Sequence, residues 1–287
     1  MNLAAFEAFL KVMETGSVSI AAEQLFITQP AVTKRIHTLE EYFGVKLFES
    51  AGRGIQPTHA AHSLLPKVRT WLNELGEIHH TLSHEQNQVQ GRLKIGTSHH
   101  IGLHHLADPL KAFVQSFPQV TLDVHFVDSE QAHEQVLAGE LELAFLTLPP
   151  IGDERLSYLT IWNDPLVFVT SPFHPLAQQS QLKLEDLIAY PSLLPAAHTY
   201  TSQITLAEFE KKSLKPKISM SNNPLESIRM LVSIGLGWSV LPKTLLNQDL
   251  KQLDLNLNMN RQLGMVWHPA RIQSKAAEEL INMMQLG

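Results

Sequence analysis

The chain has 287 residues, a length that suits two or three domains rather than one. Hydrophobic residues make up 44% and charged residues 17%; this supplies material for packed cores and excludes disorder over most of the chain. The absence of cysteine excludes disulfides, zinc–thiolate centres, iron–sulfur clusters and cysteine nucleophiles, and a net charge of −6 means that any nucleic-acid contact must rest on a local motif rather than on bulk charge.

The first elements are helical. Leu3, Phe6, Phe9, Leu10 and Met13 recur at three- and four-residue spacings, which predicts a helix over 2–13. Gly16 ends it, Ser17 caps a second helix over 18–25, and Thr28 caps a third, Gln29–Phe43, with Pro30 tolerated in its first turn. Val32, Ile36, Leu39 and Phe43 form its apolar stripe, and Gly44 stops it. Residues 45–58, with Ala51-Gly52-Arg53-Gly54 at the centre, read as a glycine-tipped hairpin. A long helix follows over 59–85. Leu65, Val68, Leu72, Leu75 and Leu82 alternate at three and four along it, the pattern of a helix that pairs with a second chain. Pro66 predicts a kink or break in it.

From Gly91 the texture changes. Strands are expected over 92–96, 120–127 and 141–146, with helices over 103–117 and Ser129–Ala138 between them. This β-α-β-α-β order implies a parallel sheet. Further strands are expected over 156–161, 166–170, 217–220, 238–241 and 264–267, and further helices over 201–212, 224–234 and 274–284. No apolar run reaches the roughly 18 residues of a membrane span. The opening stretch, with acids inside its apolar pattern, is unlike a secretory signal. A cytoplasmic protein without a membrane partner is therefore expected.

The second and third helices, joined by a tight turn and followed by the hairpin, form a winged helix-turn-helix pattern. The third helix keeps one apolar face for docking and presents donors on the other. Gln29, Thr33, Lys34 and His37 suit base edges or phosphates, and Gln29 sits beside Pro30 at the end that meets bases in this motif. Arg35 and Arg53 are candidates for phosphate or minor-groove contact. Double-stranded DNA is the expected partner.

The run Gly16-Ser17-Val18-Ser19-Ile20-Ala21-Ala22, then Thr28-Gln29-Pro30-Ala31-Val32-Thr33-Lys34-Arg35-Ile36, then Gly44-Val45-Lys46-Leu47-Phe48 resembles the N-terminal domain of LysR-type transcriptional regulators. Later stretches fall in the same family order: Gly91-Arg92-Leu93-Lys94-Ile95-Gly96, Gly139-Glu140-Leu141-Glu142-Leu143-Ala144, and Gly235-Leu236-Gly237-Trp238-Ser239-Val240-Leu241-Pro242. Two departures stand out. Ser50 replaces the arginine usual after Leu-Phe-Glu, and Thr33 replaces a serine. The resemblance covers essentially the whole chain and implies a multidomain α+β protein. Its parts would be a winged helix-turn-helix domain (1–58), a linker and dimerisation helix (59–90) and a two-lobed α/β effector domain like the periplasmic binding proteins (91–287). Lobe 1 would comprise 91–161 and 267–287, and lobe 2 would comprise 162–266. The chain would cross between them near 162–165 and 262–268. A dimer of dimers is the usual family assembly.

In that domain a small organic metabolite is expected at the carboxyl ends of the strands. Thr97, Ser98 and His99 follow the first strand; Ser129, Thr199, Thr201, Ser202 and Asn222 stand at or just before further helix starts. Hydroxyls and free N–H groups at helix starts favour an anion. No arginine enters this set. No other cofactor is expected. Among 15 histidines, His100/His104 and His80/His84 have metal-compatible spacing. With no cysteine to join them, no metal is assigned. An enzyme is the rival class, but Gly235-x-Gly237 lacks the third glycine of a dinucleotide fingerprint, and no nucleophile elbow or phosphate loop is present. A plain solute-binding protein does not account for the first 90 residues.

Overall fold

The computed structural model describes residues 3–51, 54–83 and 89–286. The chain forms two compact units, the first running to Ser83 and also including Ala138–Glu140.

The first unit contains α1 (Leu3–Thr15), α2 (Val18–Gln24), α3 (Gln29–Phe43), the strands β1 (Phe48–Ala51) and β2 (Gly54–Pro57), and α4 (His59–Ser83). The caps are those the sequence indicates. Ser17 Oγ accepts from the Ile20 N–H and Thr28 Oγ1 from the Ala31 N–H. Gly44 closes α3 with φ +67, a left-handed conformation that costs glycine little. Ala8, Val12, Ala21, Ala22, Val32 and Ile36 form one core between α1, α2 and α3. Phe6, Phe9, Leu39, Leu47, Ala61 and Val68 form another beneath α4. β1 and β2 pair antiparallel as the wing. Of the kink or break expected at Pro66, a break does not occur, since α4 is one element from His59 to Ser83 with Pro66 inside it.

The second unit is built on one mixed sheet. Its elements are β3 (Gly91–Thr97), α5 (His99–His104), α6 (Ala107–Ser116), β4 (Val120–Phe126), α7 (Ser129–Ala138), β5 (Leu143–Thr147) and β6 (Ser157–Thr170). They continue with α8 (Leu184–Leu187), β7 (Pro191–Leu194), α9 (Tyr200–Glu210), β8 (Lys217–Ser221), α10 (Leu225–Ser233), β9 (Trp238–Pro242), β10 (Lys251–Leu253), β11 (Met259–Trp267) and α11 (Lys275–Leu286). The strand order is β4-β3-β5-β11-β6-β9-β7-β8, with β10 also on β6. β3, β4 and β5 are parallel, as are β7, β8 and β9. The central pair β6–β11 is antiparallel and belongs to both halves. Each half has apolar clusters of its own: Leu93, Ile95, Phe145 and Leu263 in one, and Phe168, Leu194, Phe209 and Trp238 in the other.

Several sequence expectations are corrected. The single helix expected over 103–117 is two, because α5 starts at His99 on the Ser98 cap and α6 begins afresh at Ala107. Pro109 has no N–H for the His105 carbonyl, so one continuous helix is disfavoured there. The two strands expected over 156–170 are one, β6. Leu263–Trp267 pairs with β5, so the return to the first lobe occurs at Leu263 and not after residue 266. A register shift between Leu263 and Gly264 marks this point. A Cβ on Gly264 would lie 2.1 Å from the Leu159 carbonyl oxygen, so only glycine fits.

Candidate functional site

In the first unit, burial of Val32, Ile36 and Leu39 fixes the rotation of α3. Gln29, Pro30, Thr33, Lys34 and His37 are thereby left exposed, while Arg35 is half-buried. Pro30, Thr33, Lys34 and His37 follow the three- and four-residue spacing of one helix face. The Thr33 hydroxyl donates to the Gln29 carbonyl at 3.1 Å, and His37 Nδ1 lies 3.2 Å from Glu41. Glu40 on the same helix holds the wing: its carboxylate accepts from the Leu47 and Phe48 N–H groups and from Lys46 Nζ at 2.7 Å. Arg53 lies outside the described residues. On α4, Val68 is buried with Leu65 and Leu72 beside it, against α1 of the same chain. Leu75 is half-buried. The side chain of Leu82 lies outside the described residues, as do those of His79, His80 and His84.

The second unit has a cavity of about 60 Å³ between its lobes. Ser98 and His99 from lobe 1 line it, with Ser129 at the start of α7, and Thr199 and Thr201 at the start of α9. Thr199 Oγ1 accepts from the Ser202 N–H and donates to the Ala196 carbonyl. The Ser98, Ser129 and Thr201 hydroxyls accept from the Ile101 N–H, the Thr147 N–H and Arg261 Nη1 respectively. Among the described residues none of these three donates a hydrogen bond, so each keeps a proton for a ligand. The other expected residues lie outside the lining. Thr97 is fully buried and its hydroxyl donates to the Ser98 carbonyl. Ser202 is buried and donates to the Pro195 carbonyl. Asn222 gives its place to Asn223, which donates to Asp128 and accepts from the Ala196 N–H.

The cavity also contains charges that the sequence reading omitted. Arg261 on β11 is 3% exposed, and Asp164, its partner on β6, is 1% exposed. Arg261 Nε and Nη2 both lie 2.7 Å from Asp164 Oδ2. Burial lowers the guanidinium, and Asp164 offsets this only in part; for Asp164, burial raises the carboxyl but His100 and Arg261 outweigh it, leaving it lowered. Both remain ionised. Alternation was the available signal, because Arg261 shares its strand phase with buried Met259 and Leu263, and Asp164 shares its phase with Leu166 and Phe168. Two lobe 1 acids, Asp128 and Glu130, reach lobe 2. Asp128 meets Asn223, and Glu130 accepts the Tyr200 N–H at the start of α9 at 2.6 Å. Burial first, and Glu130 next, push the Tyr200 phenol up to about 12, so it is a neutral hydroxyl.

Comparison with known proteins gives one consistent picture. Residues 3–62 match the family model for bacterial regulatory helix-turn-helix proteins of the lysR family, and residues 86–286 match the LysR substrate binding domain. A relative from Cyanophora paradoxa, named "Probable RuBisCO transcriptional regulator", is 29% identical over 96% of this chain and 90% of its own length. Full-length CbnR, solved with its target DNA, superposes with a TM-score of 0.71 at 20% identity, covering 100% of this chain and 99% of that one. The effector binding domain of QuiR, solved with shikimate, covers 68% of this chain and 95% of its own, with a TM-score of 0.62 and 19% identity.

Proposed function

The chain belongs to the LysR family of DNA-binding transcriptional regulators, with a helix-turn-helix unit and an effector-binding domain rather than an enzyme's active site, and on that premise we propose that its effector is a small organic anion held between the two lobes. The observation that carries this reading is the donor set around the cavity. Ser98, Ser129 and Thr201 each have an unused hydroxyl proton, and the Arg261 guanidinium lies behind Thr201. The starts of α7 and α9 add the positive ends of helix dipoles. A carboxylate already sits at the start of α9, although it is the chain's own Glu130. Asp128 and Glu130 are both engaged by lobe 2 donors, so neither opposes an anion as a free charge would.

Calorimetry with a panel of hydroxy, keto and amino acids, shikimate among them, tests this. A binder from the panel is expected to lose roughly tenfold or more in affinity in Ser98→Ala and Thr201→Ala, in line with about 1.5–3 kcal/mol for a hydrogen bond to a charged group. Equal affinity in wild type and both variants overturns the placement.

The exposed face of α3 is proposed as the DNA-reading surface: Gln29 and Thr33 towards base edges, Pro30 against the backbone, Lys34, Arg35 and His37 towards bases or phosphates, and Arg53 of the wing towards the minor groove or a phosphate. Two chains are proposed to pair through α4, with two such dimers on one operator, in the cytoplasm where the DNA lies.

A further inference from the structure

His100 is 3% exposed, and among the described residues neither of its ring nitrogens has a hydrogen-bond partner. A buried imidazole without partners is costly. Nε2 faces Asp164 Oδ2 at 3.5 Å, and Nδ1 faces Glu226 Oε1 at 3.8 Å, both longer than a hydrogen bond. Glu226 Oε1 is itself buried and, among the described residues, without a hydrogen-bond partner, and His104 Nε2 lies 3.6 Å from it. His100 and His104 stand one turn apart on α5, and Glu226 lies in the first turn of α10. Ligand atoms of the three fall within 4.8 Å of one another.

We propose that His100, His104 and Glu226 form a binding site for a divalent transition-metal ion such as Zn²⁺. Two imidazoles and a carboxylate, with one position left to water, are a usual set for this ion. Metal–ligand bonds of about 2.0–2.1 Å in a tetrahedron place ligand atoms about 3.3 Å apart. The 3.6 and 3.8 Å separations therefore close by only a few tenths of an ångström. His104 and Glu226 keep 35% and 28% of their side chains exposed, which leaves a path for the ion. Asp164 supplies the supporting contact. Its Oδ2 lies 3.5 Å from Nε2 of His100, so a closure of a few tenths of an ångström on metal binding would let it accept the Nε2–H and fix the tautomer in which the Nδ1 lone pair points towards Glu226, the carboxylate–histidine–metal arrangement.

A second trio, His100, His105 and Asp164, also converges, but Asp164 is already committed to Arg261 at 2.7 Å. A cation there would sit beside a buried guanidinium, so the Glu226 site is favoured. The histidines belong to lobe 1 and Glu226 to lobe 2, so the ion would tie the lobes together. This site does not depend on the anionic-effector reading.

The full chain, freed of metal by chelator, is titrated with Zn²⁺ by calorimetry and with Co²⁺ by visible absorption. Wild type is expected to take up one ion per chain at this site, with Co²⁺ bands of four-coordinate intensity and a rise in Tm on adding Zn²⁺. Neither His104→Ala nor Glu226→Gln removes a core group, and each is expected to weaken that binding at least tenfold and abolish the Tm rise. No uptake by wild type overturns the proposal. So does uptake that both variants retain in full, because the ion is then held elsewhere.

Discussion

Asp164 and Arg261 stand opposite each other on the two strands that cross between the lobes, and almost nothing of either side chain reaches solvent. Breaking such a pair costs more than forming it gains, because the survivor is a buried charge without a counter-ion. Asp164→Asn is expected to lower stability by about 3–5 kcal/mol, read as a lower urea midpoint. The double variant Asp164→Leu/Arg261→Met is expected to recover most of that loss, since a dry apolar pair incurs no desolvation penalty. A single variant as stable as wild type would show that water reaches the pair. Both residues were legible in principle from strand phase alone. They escaped because the expected strands, 156–161, 166–170 and 264–267, leave both residues outside, whereas the strands run over Ser157–Thr170 and Met259–Trp267, so their inward phase went unread. Asn223 escaped for a subtler reason: the helix start was located within one residue, and a one-residue offset decides which asparagine faces the cavity.

At the scale of the element, the wing depends on a contact that spacing does not reveal. Glu40 sits near the end of α3 and accepts from two backbone N–H groups just before and within β1, as well as from Lys46. Burial raises its carboxyl, but Lys46 and these N–H groups outweigh it, and the net shift is downward. A lowered folded value means that the carboxylate stabilises the unit fully above the unfolded pKa of about 4.3. That stabilisation fades as the pH falls through the lower folded value. Glu40→Gln is therefore expected to lower stability by roughly 1–2 kcal/mol at pH 7. The difference from wild type should shrink below pH 4, as measured by denaturant unfolding across pH. A gap that stays constant to pH 3 would assign the effect to shape and not to charge. The helices of the first unit were readable because caps and apolar stripes agree: Ser17, Thr28 and Gly44 bound α2 and α3 where the hydrophobic spacing begins and ends. The short strands β7 and β10, four and three residues long, went unread, because so few residues show no period and their pairing partners are distant in sequence.

At the scale of the whole molecule, fold class was legible because the order of parts is itself a pattern: three capped helices and a hairpin, one long helix, then alternating strands and helices. The assembly of chains was less so, because one apolar stripe on α4 has two possible partners. Part of the stripe is used within the chain. Val68 is buried against α1, with Leu65 and Leu72 packed at the same core, so a charge at Leu72 would disturb folding and pairing together. Leu75 is one step further along the seam and is not part of that core. On the proposed pairing it is covered by a second chain, and Leu75→Asp places a carboxylate where burial demands an apolar group. The thermal midpoint of the isolated chain should change little, while light scattering should show a smaller particle. Operator affinity should fall by an order of magnitude or more, because two half-sites are no longer bound by one linked pair of domains. A variant that keeps both the wild-type particle size and operator affinity would move the interface away from this end of α4.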